Sequence, residues 1–245
     1  QQLIKDHAAP VLNEVRDKAF EDFRRQGFPT KKVERYKYTD MQKLFEPDYG
    51  LNLNRLEIPV NPYDTFKCDV PNLSTSLYFI VNDQFYSKSL PKAKLNDGVI
   101  VDSLNHVATE RPELVAKYYG RLANTEVDAI TALNTMLAQD GLFIYVPKNV
   151  QLERTIQVIN ILRSDVDLMV NRRVLIVLEE GAKAQLLFCD HAADDRNFLA
   201  TQVIEAYVGA NASLELNCLE ETHAKSVRVS NVYIEQQRDS RASHN

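Results

Sequence analysis

The second half of the chain shows one recurring pattern of apolar and polar residues. An apolar run rich in β-branched residues is followed by a turn and then by alternating apolar positions. The runs cover residues 142–146, 174–178 and 203–208, and the segments after them align on Val150, Ala182 and Ala212, with spacings of 32 and 30 residues. A period of about 20–50 residues is typical of stacked repeat folds. Because such a unit buries its apolar face only against its neighbours, the pattern predicts an extended contact surface more readily than a deep catalytic cleft.

Strands are predicted along almost the whole of this half. They are expected at 142–146, 155–162, 173–178, 184–189, 201–208, 213–219 and 226–236. All nine prolines lie at or before Pro147, which agrees with a strand-rich second half because proline lacks the N–H that a sheet interior needs. We therefore predict a parallel β-helix-like solenoid. A β-sandwich is the alternative, since strands spaced by about 8–12 residues also occur there.

The first half is predicted to be mainly helical. Pro10 suits the first position of a helix, apolar residues follow at helical spacing, and Gly27 is placed to cap the end. Thr39 is predicted as the N-cap of a short helix that ends at Phe45. Further helices are expected at 112–119 and 125–138.

A β-hairpin is predicted within this helical half. Residues 47–75 are rich in Pro, Asn and Asp, as in irregular connections, and an apolar strand follows at 77–81. Asn82-Asp83 is a turn candidate, a return strand is expected from Phe85 to Leu90, and a short strand at 99–101. The sequence thus predicts an α+β protein. Residues 1–140 form an N-terminal helical and mixed region with a small hairpin, and residues 141–245 form the first part of a β-helix core.

Composition excludes several classes of function. The 245 residues carry a net charge of −5, which argues against a general nucleic-acid binder. The sequence has no GxxxxGK[ST], GxGxxG or GxSxG motif and no apolar run near the ~20 residues that span a bilayer. Three widely spaced cysteines, Cys68, Cys189 and Cys218, indicate free thiols in a reducing compartment, and we predict a cytoplasmic location.

Two short clusters are candidates for metal or thiol chemistry. In Cys189-Asp190-His191 the first and third side chains would share one face of a strand, but two ligands do not make a closed site. Glu220-Glu221-Thr222-His223 resembles a run of metal ligands, but adjacent glutamates on a strand point to opposite faces, so a solvated turn is favoured. The sequence therefore assigns no catalytic, cofactor-binding or metal-binding residue.

A cluster of acids suggests a comparison with β-helix enzymes that act on acidic polysaccharides. Asp190, Asp194 and Asp195 lie close together with Arg196, and such enzymes use carboxylates around calcium with a basic residue nearby. These acids do not recur at the repeat period. A flexible polar loop is the favoured interpretation, and the polysaccharide-cleaving enzyme is kept as an alternative function.

Two segments resemble one protein family. Residues 27–39, GFPTKKVERYKYT, resemble the motif G-x-P-x-x-K-x-E-x-W-K-Y-T of the SufB/SufD family of the SUF iron–sulfur cluster assembly system, with Tyr36 where tryptophan is usual. Residues 77–85 resemble its V-F-V-N-G-x-F hairpin, with Asp83 where glycine is usual. The repeats, with E-x-A-x-A-x-L and G-x-N-A-x-L-E turns, are similar to its β-helix core. The first motif favours the D-type subunit, SufD, over the B-type subunit.

The resemblance implies a fold and a function. It implies an N-terminal helical region, a right-handed parallel β-helix and a later C-terminal helical region. It also implies a scaffold without turnover, which pairs with a SufB-like paralogue through the β-helix and with a SufC-like ABC-type ATPase through the C-terminal helices. An iron–sulfur cluster would be carried transiently by that complex, the SufBCD complex, and not by this segment.

The resemblance also implies that the chain is truncated at its C-terminal side. The family's interface histidine and cysteine and its ATPase-docking helices would follow residue 245, so neither His244 nor Cys189 takes those roles. No nucleic-acid or membrane partner is expected, and a homodimer is possible. A general solenoid interaction module is the remaining alternative function.

Overall fold

The computed structural model describes residues 2–65, 75–88, 90, 95–96 and 98–245. Cys68 and part of the predicted irregular connection at 47–75 lie outside these ranges. The helices in the described residues are short and all lie before residue 142. They are α1 (Gln2–Asp6), α2 (Pro10–Asn13), α3 (Arg16–Gln26), α4 (Met41–Phe45), α5 (Pro62–Thr65), α6 (Leu104–Glu110), α7 (Pro112–Ala116) and α8 (Ala129–Leu137), with a 3₁₀ turn at Glu34–Tyr36.

Eleven strands in the described residues form two sheets. The strands are β1 (Thr75–Val81), β2 (Gln84–Phe85), β3 (Ile100–Ser103), β4 (Leu142–Val146), β5 (Thr155–Leu162), β6 (Leu168–Leu178), β7 (Lys183–Ala192), β8 (Phe198–Val208), β9 (Ser213–Glu221), β10 (Ser226–Gln236) and β11 (Arg241–His244). Sheet A has the order β10-β8-β6-β4-β3, and sheet B has the order β11-β9-β7-β5-β1-β2. From β4 onward the chain alternates between the sheets, and each strand from β6 to β11 pairs in parallel with the strand one coil earlier.

The pairing register confirms the repeat period. In sheet A, Leu142 pairs with Val174 and Val174 pairs with Ile204, so the register has the same two spacings as the sequence alignment. In sheet B, Ile156 pairs with Leu186 and Leu186 pairs with Leu216, at one constant spacing. The molecule is therefore a parallel-strand β-solenoid with two strands per coil, and the β-sandwich alternative is wrong.

One turn position is repeated in every coil. Asn149, Gly181, Asn211 and Asp239 follow a sheet A strand, and their φ angles are 62°, 69°, 59° and 56°. Glycine, asparagine and aspartate adopt this left-handed conformation most readily, so the sequence supplies a suitable residue at each corner. A Cβ on Gly181 would lie 2.3 Å from the Asn149 side chain of the coil before it, which shows how closely the corners stack.

The main core lies between the two sheets. It consists of inward side chains from both sheets, such as Ile144, Ile176 and Ile204 from sheet A and Ile156 and Leu186 from sheet B, all buried. The helices cover the outer face of sheet A, where Phe143, Leu175 and Val177 pack against helical residues of α2, α6 and α7. The central strands of sheet A, β4, β6 and β8, are therefore buried on both faces, which accounts for the apolar runs in these strands.

Several element boundaries differ from the sequence predictions. The helix predicted from Pro10 to Gly27 is divided into α2 and α3, and the N-cap of α4 is Asp40 instead of Thr39, because the Asp40 side chain accepts the Lys43 N–H. Among the described residues, the return strand predicted from Phe85 to Leu90 pairs only over β2, and helix α6 was not predicted. The helices predicted at 112–119 and 125–138 are shorter, as α7 and α8.

Ten of the eleven strands were predicted, often too short, and β11 (Arg241–His244) was not predicted. Strand β6 begins at Leu168, before the predicted start at 173, and strand β8 begins at Phe198 instead of 201. The added segment of β6 contains polar residues that are buried, such as Asn171 and Arg172. Polar residues interrupt an apolar run in the sequence, and only their buried partners in the fold allow the strand to continue through them.

Candidate functional site

The segment that carries the family-like motif lies against the solenoid. Gly27 ends α3 with φ 64°, its N–H donating to the Phe23 carbonyl, so the chain turns back towards α8. The 3₁₀ turn Glu34–Tyr36 then places the Tyr36 side chain, 7% exposed, beside Met41 and Ile130. The motif therefore has a local structural role as a turn that returns the chain to the core.

Asp128 joins this motif to the solenoid. Its carboxylate is the N-cap of α8, accepting the Thr131 N–H at 2.7 Å. It also accepts a hydrogen bond from the Tyr36 hydroxyl at 2.8 Å. Two more hydrogen bonds, each of 3.0 Å, come from Nη1 of Arg35 and from Nδ2 of Asn231 in β10. One buried carboxylate thus connects the motif, a helix and the last long strand of sheet A. Burial and the charge of Asp128 raise the pKa of Tyr36, so the phenol remains a donor at neutral pH.

We expect Tyr36→Phe to lower the free energy of unfolding by about 1.5–3 kcal/mol, because Asp128 loses one of its charge-assisted donors in a buried site. Tyr38→Phe is the matched control, since the Tyr38 side chain is 91% exposed. Urea denaturation of both variants measures the difference. Equal stability of the two variants would contradict a structural role for the Tyr36 hydroxyl.

A second buried carboxylate fastens the helical region to sheet A. Glu205 of β8 is fully buried and pairs with Arg173 of β6 at 2.7 Å. It also accepts the backbone N–H groups of Gly120, Leu122 and Ala123 at 2.9–3.0 Å. Arg173 donates further to Thr135 Oγ1 at 2.8 Å and lies over the Tyr119 ring. The pair holds the loop between α7 and α8 against two strands of the solenoid.

A third buried carboxylate lies inside the solenoid. Asp190 is 2% exposed, and its carboxylate pairs with two arginines of sheet A. Nη1 of Arg172 in β6 donates to one oxygen, and Nη1 of Arg228 in β10 donates to the other at 2.7 Å. Arg172 Nε also donates to the Asn82 carbonyl at 3.0 Å, in the turn between β1 and β2. Asp190 was predicted to lie in a flexible polar loop. That prediction is wrong, because β7 extends to Ala192 and directs Asp190 inward, in line with Leu186 and Phe188.

The remaining acids of the predicted loop are tied to neighbouring coils. Asp194 accepts Arg163 Nη1 at 3.1 Å and the Ser164 N–H at 2.9 Å, and Asp195 pairs with Lys225 at 2.9 Å. Hydrogen bonding and the charge of Lys225 hold the pKa of Asp195 below its usual range. These contacts join loops of successive coils, and Asp190, Asp194 and Asp195 do not form one carboxylate site.

Cys189 and His191 lie on the same side of β7, as predicted. Cys189 is buried with Phe79, Ile159 and Ile161 on the outer face of sheet B, and Gln157 Nε2 lies 3.7 Å from its sulfur. His191 Nδ1 is 3.5 Å from the Glu221 carboxylate of the next strand. Within the described ranges, no three His, Cys, Asp or Glu side chains are placed so that they could hold a metal ion.

The second candidate run, residues 220–223, is divided by the end of a strand. A solvated turn was predicted for the whole run, but Glu220 and Glu221 are exposed residues at the end of β9. The turn begins only after Glu221. Glu220 lies 3.4 Å from Arg228, and His223 Nε2 lies 2.7 Å from the Asp194 carbonyl. The run therefore contacts different partners and does not converge on one point.

Sequence reasoning missed the pairing of Cys218 with His244. These residues lie on β9 and β11, neighbouring strands of sheet B, and the Cys218 sulfur is 3.8 Å from His244 Nε2. Burial raises the pKa of the Cys218 thiol, so it is mainly protonated near neutral pH. The two are far apart in the chain, and only the parallel register brings them together.

None of the helices in the described part of the chain is long and apolar enough to cross a lipid bilayer.

Comparison with known proteins agrees with this architecture. The family model of the SufBD protein N-terminal region matches residues 1–158, and that of the SUF system FeS cluster assembly SufBD core domain matches residues 160–245. The division predicted at residue 140 stays a prediction. Strands β1 and β3, which precede it, pair with β5 and β4 of the solenoid.

Curated relatives resemble the chain over part of their length. The chloroplastic iron–sulfur cluster assembly SufBD family protein ABCI8 of Arabidopsis thaliana is 32% identical over 57% of this chain and 24% of its own length. The related Arabidopsis protein ABCI9 is 27% identical over 69% of this chain and 35% of its own length. The iron–sulfur cluster assembly protein SufD of Bacillus subtilis is 34% identical over 46% of this chain and 26% of its own length.

The matched part of the chain thus spans about a quarter to a third of these relatives. The two family models together match residues 1–158 and 160–245, in the order expected for one subunit. With this match, the chain belongs to the SufB/SufD family of the SUF iron–sulfur cluster assembly system.

Proposed function

We propose that this chain is the N-terminal region and the first coils of a D-type scaffold subunit for iron–sulfur cluster assembly. The observation that carries the proposal is the ordered match to both SufBD family models, together with the placement of the motif. Residues 27–39, which resemble the D-type motif, form the turn that Asp128 joins to β10. The scaffold has no turnover of its own, and the cluster is its transient cargo in the full complex.

The surface of the solenoid supports a role in contacts between subunits. Helices cover the outer face of sheet A, whereas the outward side chains of β7 and β9, apart from the buried Cys189, are exposed or half-buried. Those that line this face are Lys183, Gln185, Leu187, Ser213, Glu215, Asn217 and Leu219. We propose a SufB-like paralogue as the partner of the β-helix and a SufC-like ABC ATPase as the partner of a later helical region.

Affinity purification of the full-length protein from its own cells tests this function. We expect a SufB-like paralogue and an ABC ATPase to co-purify, and to be absent from a mock purification of untagged cells. Bait carrying Val166→Asp, at a residue 57% exposed, should recover both partners equally well. If neither partner co-purifies, the proposal is contradicted. Cell fractionation in the same experiment tests the predicted cytoplasmic location, which matters because one relative is chloroplastic.

The contacts of the acidic residues disfavour the alternative of a polysaccharide-cleaving enzyme. Asp190 is enclosed between two arginines, and Asp194 and Asp195 each neutralise a cation of a neighbouring loop. A calcium site requires several oxygen ligands directed at one point. We therefore propose the scaffold function alone.

A further inference from the structure

We draw no further inference here: the strongest candidate, the cavity that Glu179 and Glu235 line between the end of α7 and the outer face of sheet A, already holds the Lys117 cation over the Tyr118 ring, and nothing in the structure shows what would occupy the rest of it.

Discussion

Glu205→Ala is expected to lower the free energy of unfolding by about 3–5 kcal/mol, because it leaves Arg173 charged and unpaired in a fully buried site. The backbone N–H groups of Gly120, Leu122 and Ala123 lose their common acceptor at the same time. The loop between α7 and α8 should therefore separate from sheet A before the solenoid unfolds. Urea denaturation followed by far-UV circular dichroism measures the stability, and amide hydrogen exchange of residues 118–123 measures the local opening.

Two further variants isolate the cause. Glu221→Ala, at a strand glutamate whose side chain is 66% exposed, should change stability by no more than about 0.5 kcal/mol. Replacing the pair together, with Arg173→Met and Glu205→Leu, removes the unpaired charge but still leaves the three N–H groups without an acceptor. We expect this double variant to recover only part of the loss. A double variant no more stable than Glu205→Ala would show that the buried charge is not the main cost.

Gly141→Ala is expected to prevent normal folding of the first coil. Gly141 immediately precedes β4, and a Cβ there would lie 1.9 Å from the Arg173 carbonyl oxygen and 2.8 Å from its carbonyl carbon. Both atoms belong to the backbone of β6, so no side-chain rotation relieves the clash. The strands must move apart, and the cost should exceed the ~1–3 kcal/mol typical of an overpacked core. Soluble yield and thermal unfolding measure the effect.

Gly27→Ala provides a graded comparison for this steric argument. Gly27 has φ 64°, but no atom lies within 4 Å of the position that an alanine Cβ would take, so alanine there is strained only by the backbone conformation. We expect a loss of about 1–3 kcal/mol and a folded protein. If Gly141→Ala were no more destabilising than Gly27→Ala, the close approach of β4 and β6 would not control the fold.

The repeat could be predicted from the sequence because every coil of a solenoid has the same local structure of strands and turns. Apolar runs mark the strands, and left-handed corners select residues such as Asn149 and Gly181. The alignment on Val150, Ala182 and Ala212 has the same two spacings as the strand register in sheet A. Hydrophobic patterning and the choice of turn residues depend on neighbouring residues only, so the sequence alone is enough to detect them.

The polar contacts could not be predicted in the same way. Asp128 contacts Tyr36, 92 residues away, and Asn231, 103 residues away, and both Tyr36 and Asp128 lie outside the repeated segment. Asp190 was assigned to a polar loop because Asp194, Asp195 and Arg196 follow it closely in the sequence. Its burial depends on Arg172 and Arg228, which reach it from two strands of the other sheet.

The sequence by itself determined the α+β class, the stacked repeat and the likeness to the SufB/SufD family, because short-range periodicity and contiguous motifs carry that information. Only the tertiary structure decided which charged residues form buried ion pairs and which acids pair with cations of neighbouring loops. It also decided that Cys218 contacts His244. The physical reason is that a buried charge is tolerated only when its partners are in place. In a parallel solenoid those partners come from other coils and from the helices that cover sheet A, which no local pattern of residues records.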